Sequence, residues 1–396
     1  MTSLTARIEA GTPATRDRAL DGLRALALLC VPLGHWLLGG FTRTPDGAIH
    51  NASPLVAMGG FAPVTWFLQL LGVFFLVGGH ASVLSFNRSA ETRSWLRGRI
   101  ARLGRPVLGV AAVWAAALPL LHALGVPADS LRTAAVLVVQ PLWFVGVYAV
   151  TTALTPLCRR AARRFGGWSA LPLLAAVAVV DLLRYGPWSG AVPGWLGLVN
   201  LLPGWLFCYQ LGVAWGEGRI GGRRSGTALL LGGAGLFALL LLCFHYPLSM
   251  VGVPGAARDN AHPPSLLVLA LGAAQSGVAL LLHGRLNRLL RRPRLWTAVV
   301  LVNLSAMTIL CWHQTAMLLP ALTTGASTAL AGLTTAPVGP GWVAARLAWL
   351  PLFALLLTGL VAAARRFEQP WRTGALGRAA AAVLAAAFTL YACTVV

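Results

Sequence analysis

Charge is what this chain has least of. Only 10% of its 396 residues are charged, against about 25% in soluble globular proteins, which excludes an ordinary soluble domain. Lysine is missing altogether, so all 31 basic residues are arginine. Acidic residues number ten, and no carboxylate pair for acid–base work is evident among them. No Gly-rich phosphate loop, no zinc-ligand spacing and no Gly-x-Ser-x-Gly elbow occurs. The sequence therefore offers no support for Ser or Cys nucleophile chemistry, and no metal is expected. The six cysteines (Cys30, Cys158, Cys208, Cys243, Cys311 and Cys393) lie mostly inside apolar segments and read as buried free thiols. No cleavable signal peptide is visible. The first apolar segment is long and should persist as a spanning helix.

What fills the chain instead is hydrocarbon. Hydrophobic residues make up 57% and the mean hydropathy is +0.74. Apolar runs of about 20 residues recur along the whole length. They predict an all-α, polytopic membrane helical bundle; alternating short strands that would suggest a barrel are absent. Eleven spans are expected, near 20–41, 61–84, 104–124, 133–157, 168–184, 195–216, 226–245, 264–283, 297–320, 342–364 and 377–395.

The net charge of +21 resembles a nucleic-acid signature, yet the arginines sit in short connections between apolar runs. With these spans, all but Arg43, Arg132, Arg184, Arg258 and Arg346 fall on one side of the membrane. That asymmetry predicts a cytoplasmic N-terminus and no nucleic-acid partner. No soluble domain fits in the connections. The longest, 42–60, 246–263 and 321–341, are Pro/Gly-rich and expected outside. No internal repeat, which would hint at a transporter, is clear.

Depth then sorts the polar residues. His35 lies 15 residues into an outward-running span, about 22 Å of helical rise. His313 lies at a similar depth in another. An ionisable ring that deep in lipid reads as functional by default. The plainer reading of each is a hydrogen-bonded interhelical histidine. Arg24 precedes His35 by 11 residues, about three helical turns, so the two share one face, and Asp21 lies within about 40° of it. That face should look into the protein. A second constellation is Arg99, Arg102 and Arg105, recurring every third residue as a cationic ridge. It suits a phosphate-rich cofactor, since Arg binds phosphate oxygens bidentately. The plainer reading is topology charge beside anionic headgroups.

These residues together resemble the acyltransferase 3 family of integral membrane acyltransferases. Its first helix reads approximately Arg-x-x-x-Leu-Asp-x-Leu-Arg-x-x-Ala followed by an inward-facing His. The matches are Arg16 or Arg18, Leu20, Asp21, Leu23, Arg24, Ala27 and His35. The family's Phe-Phe-x-x-Ser-Gly corresponds to Phe74-Phe75-Leu76-Val77-Gly78-Gly79, with Gly78 in place of the serine. Its Arg-x-x-Arg before a proline is similar to Arg99, Arg102 and Pro106, one residue longer here. Leu142-Trp143-Phe144, Ser305 with His313, and Glu368-Gln369-Pro370 complete the series. The resemblance implies a tail over 1–17, a ten-span acyltransferase domain over 18–372 and one additional C-terminal span over 373–396.

The resemblance further implies transfer of an acyl group from a cytoplasmic thioester, acetyl-CoA or another acyl-CoA, to a hydroxyl or amine. The acceptor would be a cell-envelope glycan, a glycolipid or a secondary metabolite. Arg99, Arg102, Arg105 and Arg24 would hold the donor. His35 would serve either as general base, for which an imidazole pKa of about 6.5 is suited, or as a transient acyl carrier. Trp143, His313 and Asp21 would line the acceptor side. Abundant Ala, Gly and Arg without Lys suggest a GC-rich bacterial genome, hence the bacterial plasma membrane, with lipids as surroundings and no obligatory protein partner evident. The alternative is a transporter or flippase that uses the polar core without acyl transfer; a non-catalytic scaffold would leave the buried polar stripe unexplained.

Overall fold

The computed structural model describes residues 3–187, 189–324 and 328–365. The expected span 377–395, Cys393, Glu368 and Pro370 lie outside them. The protein is an all-α polytopic membrane bundle. Among the described residues nine helices are long and apolar enough to cross a membrane, or ten when one broken pair is counted as a single span.

The main helices run in chain order. The first, α1 (Arg18–Leu38), leads into a two-stranded hairpin, β1 (Gly40–Arg43) and β2 (Ile49–Ala52). Then come α2 (Leu71–Asn87), α3 (Thr92–Ala123), α4 (Ala128–Val139), α5 (Trp143–Ala153), α6 (Thr155–Phe165) and α7 (Leu171–Tyr185). The series ends with α8 (Leu201–Gly216), α9 (Gly222–Leu242), α10 (Leu266–Leu289), α11 (Pro293–Leu304), α12 (Ala306–Thr323) and α13 (Pro340–Ala364).

Two differences from the expected spans have local causes. Helix α3 starts at Thr92 rather than near 104, because the Arg, Leu and Ala residues of the arginine-rich stretch are good helix formers that outweigh Gly98 and Gly104. The expected span 133–157 corresponds to one candidate span, Ala128–Ala153, within which a 3₁₀ turn at Gln140–Leu142 containing Pro141 divides α4 from α5. The loop expected over 42–60 holds the hairpin. Its turn, Thr44-Pro45-Asp46-Gly47, uses a proline to start the reversal and a glycine at φ +86° to finish it. The Gly47 N–H donates to Thr44 O at 2.9 Å.

The chain folds as two compact units interleaved in sequence. The first gathers the described residues up to Val31 with Ala62–Leu96 and Val147–Leu304. Small residues bring its helices together, the usual device where lipid supplies no hydrophobic drive. A Cβ at Gly79 would collide with Tyr209 O, and one at Gly212 with Leu76 O, so the α2 and α8 backbones touch. Gly226 and Gly233 of α9 meet Gly277 and Ala274 of α10 in the same way. Gly212→Ala is expected to lower thermal stability in detergent by about 1–3 kcal/mol through overpacking. Gly235→Ala, which meets nothing within 4 Å, should leave stability unchanged or raise it. Equal melting of the two variants would refute backbone contact at Gly212.

The second unit gathers Pro32–Phe61, Arg97–Gly146 and the described residues from Ser305 onward. Its centre is α12, in which every residue from Thr308 to Leu318 is buried. A helix covered on all sides is core rather than lipid-facing. The hairpin packs within this unit: Phe41 and Arg43 donate backbone N–H groups to Leu333 O and Thr334 O (3.3 and 3.1 Å), and Ile49 N–H reaches Ser130 Oγ at 2.9 Å.

Candidate functional site

The polar residues of α12 lie within its buried stretch. A polar group there must be satisfied inside the protein, so its partners are informative. His313 is fully buried, and its Nδ1 lies 2.7 Å from Leu310 O one turn back. A carbonyl only accepts, so Nδ1 carries the proton and Nε2 of the neutral ring carries the lone pair. That Nε2 lies 2.6 Å from Nδ1 of His35 on α1. His35 therefore donates through Nδ1–H, and in the neutral form of this ring the lone pair falls on Nε2. The ring centroids lie 4.9 Å apart with the planes 23° from parallel, so the rings meet edge to edge through the two nitrogens. Gln314 approaches the same His35 Nδ1 at 3.3 Å, and with Nδ1–H donating its amide must present Oε1 there in place of Nε2. The two histidines of matching depth are thus one hydrogen-bonded pair.

The pair is braced from behind. Trp36 Nε1 donates to His313 O at 2.9 Å, and Trp114 Nε1 donates to Thr315 Oγ1 at 3.0 Å. Arg346 of α13, wholly buried, donates to Trp36 O (2.6 Å), Gly332 O (3.0 Å) and Gly39 O, and touches Met317 Sδ. Trp342 and Phe353 flank the guanidinium at 5.4 and 5.1 Å. Trp36 and Gly39 stand at the C-terminal end of α1, where unsatisfied carbonyls make the helix dipole negative. A buried cation there needs no carboxylate. Sequence reading counted Arg346 only as a topology charge. Its position in the second turn of an apolar helix, between Trp342 and Trp349, was the available signal.

The remaining second-unit candidates lie on two other helices. Arg99, Arg102 and Arg105 are all in α3, where steps of three residues fan them over about 120° of its surface. Arg102 is exposed, and its Nε also donates to Gly98 O at 3.1 Å. Arg99 and Arg105 are half-buried. Trp143, half-buried at the start of α5, meets Phe144 edge-on at 6.2 Å.

Asp21 and Arg24 belong to the first unit. Arg16 Nε and Nη2 donate to the two carboxylate oxygens of Asp21 at 2.6 and 2.9 Å, and Arg24 Nη1 lies 3.6 Å from the same group. Two guanidiniums share one carboxylate, which leaves a surplus positive charge. They face a cleft of about 340 Å³ lined also by Thr12, Trp296 and Asn303. Trp296 Nε1 donates to Thr12 Oγ1 at 2.8 Å, and Asn303 Nδ2 donates to Asp21 O at 2.9 Å. At the mouth of α1, Asp17 pairs with His283 at 2.7 Å. Burial alone would raise the Asp17 carboxyl, but the His283 bond and charge outweigh it and hold it below its ordinary value.

Neither Thr12 nor Trp296 was legible as cleft-forming, since they meet across 284 positions of sequence. Among the described residues no group of three His, Cys, Asp or Glu side chains is arranged to hold a metal ion.

The family model for the acyltransferase 3 domain, described as an acyltransferase domain, matches residues 17–327. The chain belongs to the acyltransferase 3 family. It is a multi-pass membrane acyltransferase. No curated protein and no solved structure matches it. The matched stretch of this acyltransferase includes both histidines, Asp21 and Arg24 of the cleft, and the α3 arginines; Thr12, Arg16 and Arg346 lie outside it.

Proposed function

We propose that this acyltransferase moves an acyl group, acetyl in the simplest case, from acyl-CoA to a hydroxyl of a glycan, glycolipid or secondary metabolite, with His35 as general base. The observation that carries this reading is the 2.6 Å contact between His35 Nδ1 and His313 Nε2. His313, fixed by Leu310 O, accepts the Nδ1 proton and so directs the basic lone pair of His35 to Nε2. Nε2 takes the proton of the acceptor hydroxyl as its oxygen attacks the thioester carbonyl; the C–S bond then breaks and Nε2 returns that proton to the departing sulfur, which leaves as the thiol. His35 is half-buried while His313 is wholly so, which suits the outer ring to meeting a substrate and the inner one to orienting it.

Arg99, Arg102 and Arg105 are assigned to the phosphates of the donor, because guanidinium groups pair bidentately with phosphate oxygens. Arg24, with its share of surplus charge in the first unit's cleft, is a phosphate ligand of the same kind. Asp21, expected on the acceptor side, we assign a supporting part: its carboxylate anchors Arg16 and Arg24. Trp143 is retained as an acceptor-side residue. The arginine asymmetry supports a cytoplasmic N-terminus in a bacterial plasma membrane, with the domain running over 18–372 and a further span over 373–396.

The test is acetyl-CoA binding to the purified full chain. Wild type and His35→Ala should bind alike, and Arg99→Ala/Arg102→Ala should bind more weakly by tenfold or more. This follows from losing two charge-assisted contacts worth roughly 1.5–3 kcal/mol each. No binding by any of them, with longer acyl-CoAs equally silent, would favour the transporter reading.

A further inference from the structure

Helix α6 holds four arginines and no acidic residue in 11 positions. The doublets Arg159-Arg160 and Arg163-Arg164 repeat at a spacing of four, so each doublet sends one arginine to each of two neighbouring stripes of the helix. The inner stripe is occupied. Arg159 and Arg163 reach Glu217 at 3.3 and 2.5 Å, Asn87 Nδ2 donates to the same carboxylate at 2.8 Å, and Arg159 lies over the Phe86 ring at 5.6 Å. Burial alone would raise the Glu217 carboxyl, but the bonds from Asn87 and Arg163 hold it below its ordinary range, so it stays ionised. One carboxylate thus serves the inner pair.

The outer stripe faces away from the bundle. Arg160 and Arg164 are exposed, in line with Leu157, which is 57% exposed. Just beyond, Phe165 and Trp168 are 54% and 75% exposed. Level is given by the helices that α6 touches: Asn87 is the last residue of α2, and Glu217 follows the end of α8. Both are spans, so α6 lies where spans end, at the boundary between hydrocarbon and water. Exposed Arg219, Arg223 and Arg224 follow Glu217, and Ile220 packs over Gly167 in the turn after α6. Cations over large apolar side chains at that level match a lipid with a phosphate-borne negative charge above its acyl chains.

We propose that α6 and the turn after it form a binding surface for anionic phospholipid, in which Arg160 and Arg164 take the headgroup phosphate while Phe165 and Trp168 enter the acyl boundary. The surface is independent of the acyl-transfer reading and of the histidine pair.

The experiment uses the full chain in phosphatidylcholine nanodiscs containing a small fraction of brominated lipid. Trp168 fluorescence is isolated as the difference between wild type and Trp168→Phe. Brominated phosphatidylglycerol should quench it several-fold more than the same fraction of brominated phosphatidylcholine. High salt should reduce the excess, because exposed charges are screened. Arg160→Gln/Arg164→Gln should bring the two quenchers level, and Arg160→Lys/Arg164→Lys should retain the excess, which separates charge loss from misfolding. Equal quenching by the two lipids in wild type, or an excess unchanged in the glutamine variant, would overturn the proposal.

Discussion

His35→Ala is expected to reduce acyl transfer by roughly 100- to 10,000-fold, the usual worth of a positioned general base, while acetyl-CoA binding stays near wild type and stability falls by only about 1–3 kcal/mol for the unmet Nε2 of buried His313. The side chain is half-buried on α1, so truncation opens little of the core. Its loss leaves His313 without the donor that its Nε2 accepts from, yet His313 keeps Leu310 O and the Trp36 bond to its backbone. His313→Ala should behave differently. It leaves the reacting ring in place but releases its tautomer, so kcat should fall by less than in His35→Ala, with KM for the acceptor little changed. The measurement is steady-state transfer of radiolabelled acetyl groups in detergent extract, alongside a melting curve for each variant. Full activity in a folded His35→Ala protein would remove His35 from the chemistry.

Much of this arrangement was readable before any coordinates, and the reason is geometric. A span has a fixed length, so counting residues from its end places a side chain in depth, and two side chains at one depth can meet. His35 and His313 were found that way. The cationic ridge was readable because Arg99, Arg102 and Arg105 are local in sequence. Breaks were harder. The turn at Gln140–Leu142 and the one at Ser305 interrupt apolar runs whose composition is continuous on both sides. The hairpin within 40–52 is hard to read because its strands are only four residues each and the bonds that fix it in place run to the distant Ser130, Leu333 and Thr334. What sequence conceals most fully is a side chain whose partners are backbone carbonyls, since any residue can supply one.

Arg346 is that case, and replacing it should cost the fold more than any other single change in the second unit. Its guanidinium satisfies three carbonyls, of Trp36, Gly39 and Gly332, in a fully buried site. In Arg346→Met the shape is roughly kept while all three acceptors lose their donor. A buried polar group left unmet costs about 1–3 kcal/mol, so the sum is several kcal/mol, and the favourable cation at the negative end of α1 is lost besides. Arg346→Lys keeps the charge but presents a single ammonium where a planar fork spans three directions, so it should fall between wild type and Arg346→Met. Two readouts separate packing from catalysis. Thermal unfolding in detergent should rank wild type, Lys and Met in that order. At a temperature where all three are folded, transfer activity should fall along the same series, because the bonds to Trp36 O and Gly39 O hold the end of α1 that carries His35. A methionine variant as stable as wild type would show that the three carbonyls find other donors, and would deny Arg346 its part in positioning the pair.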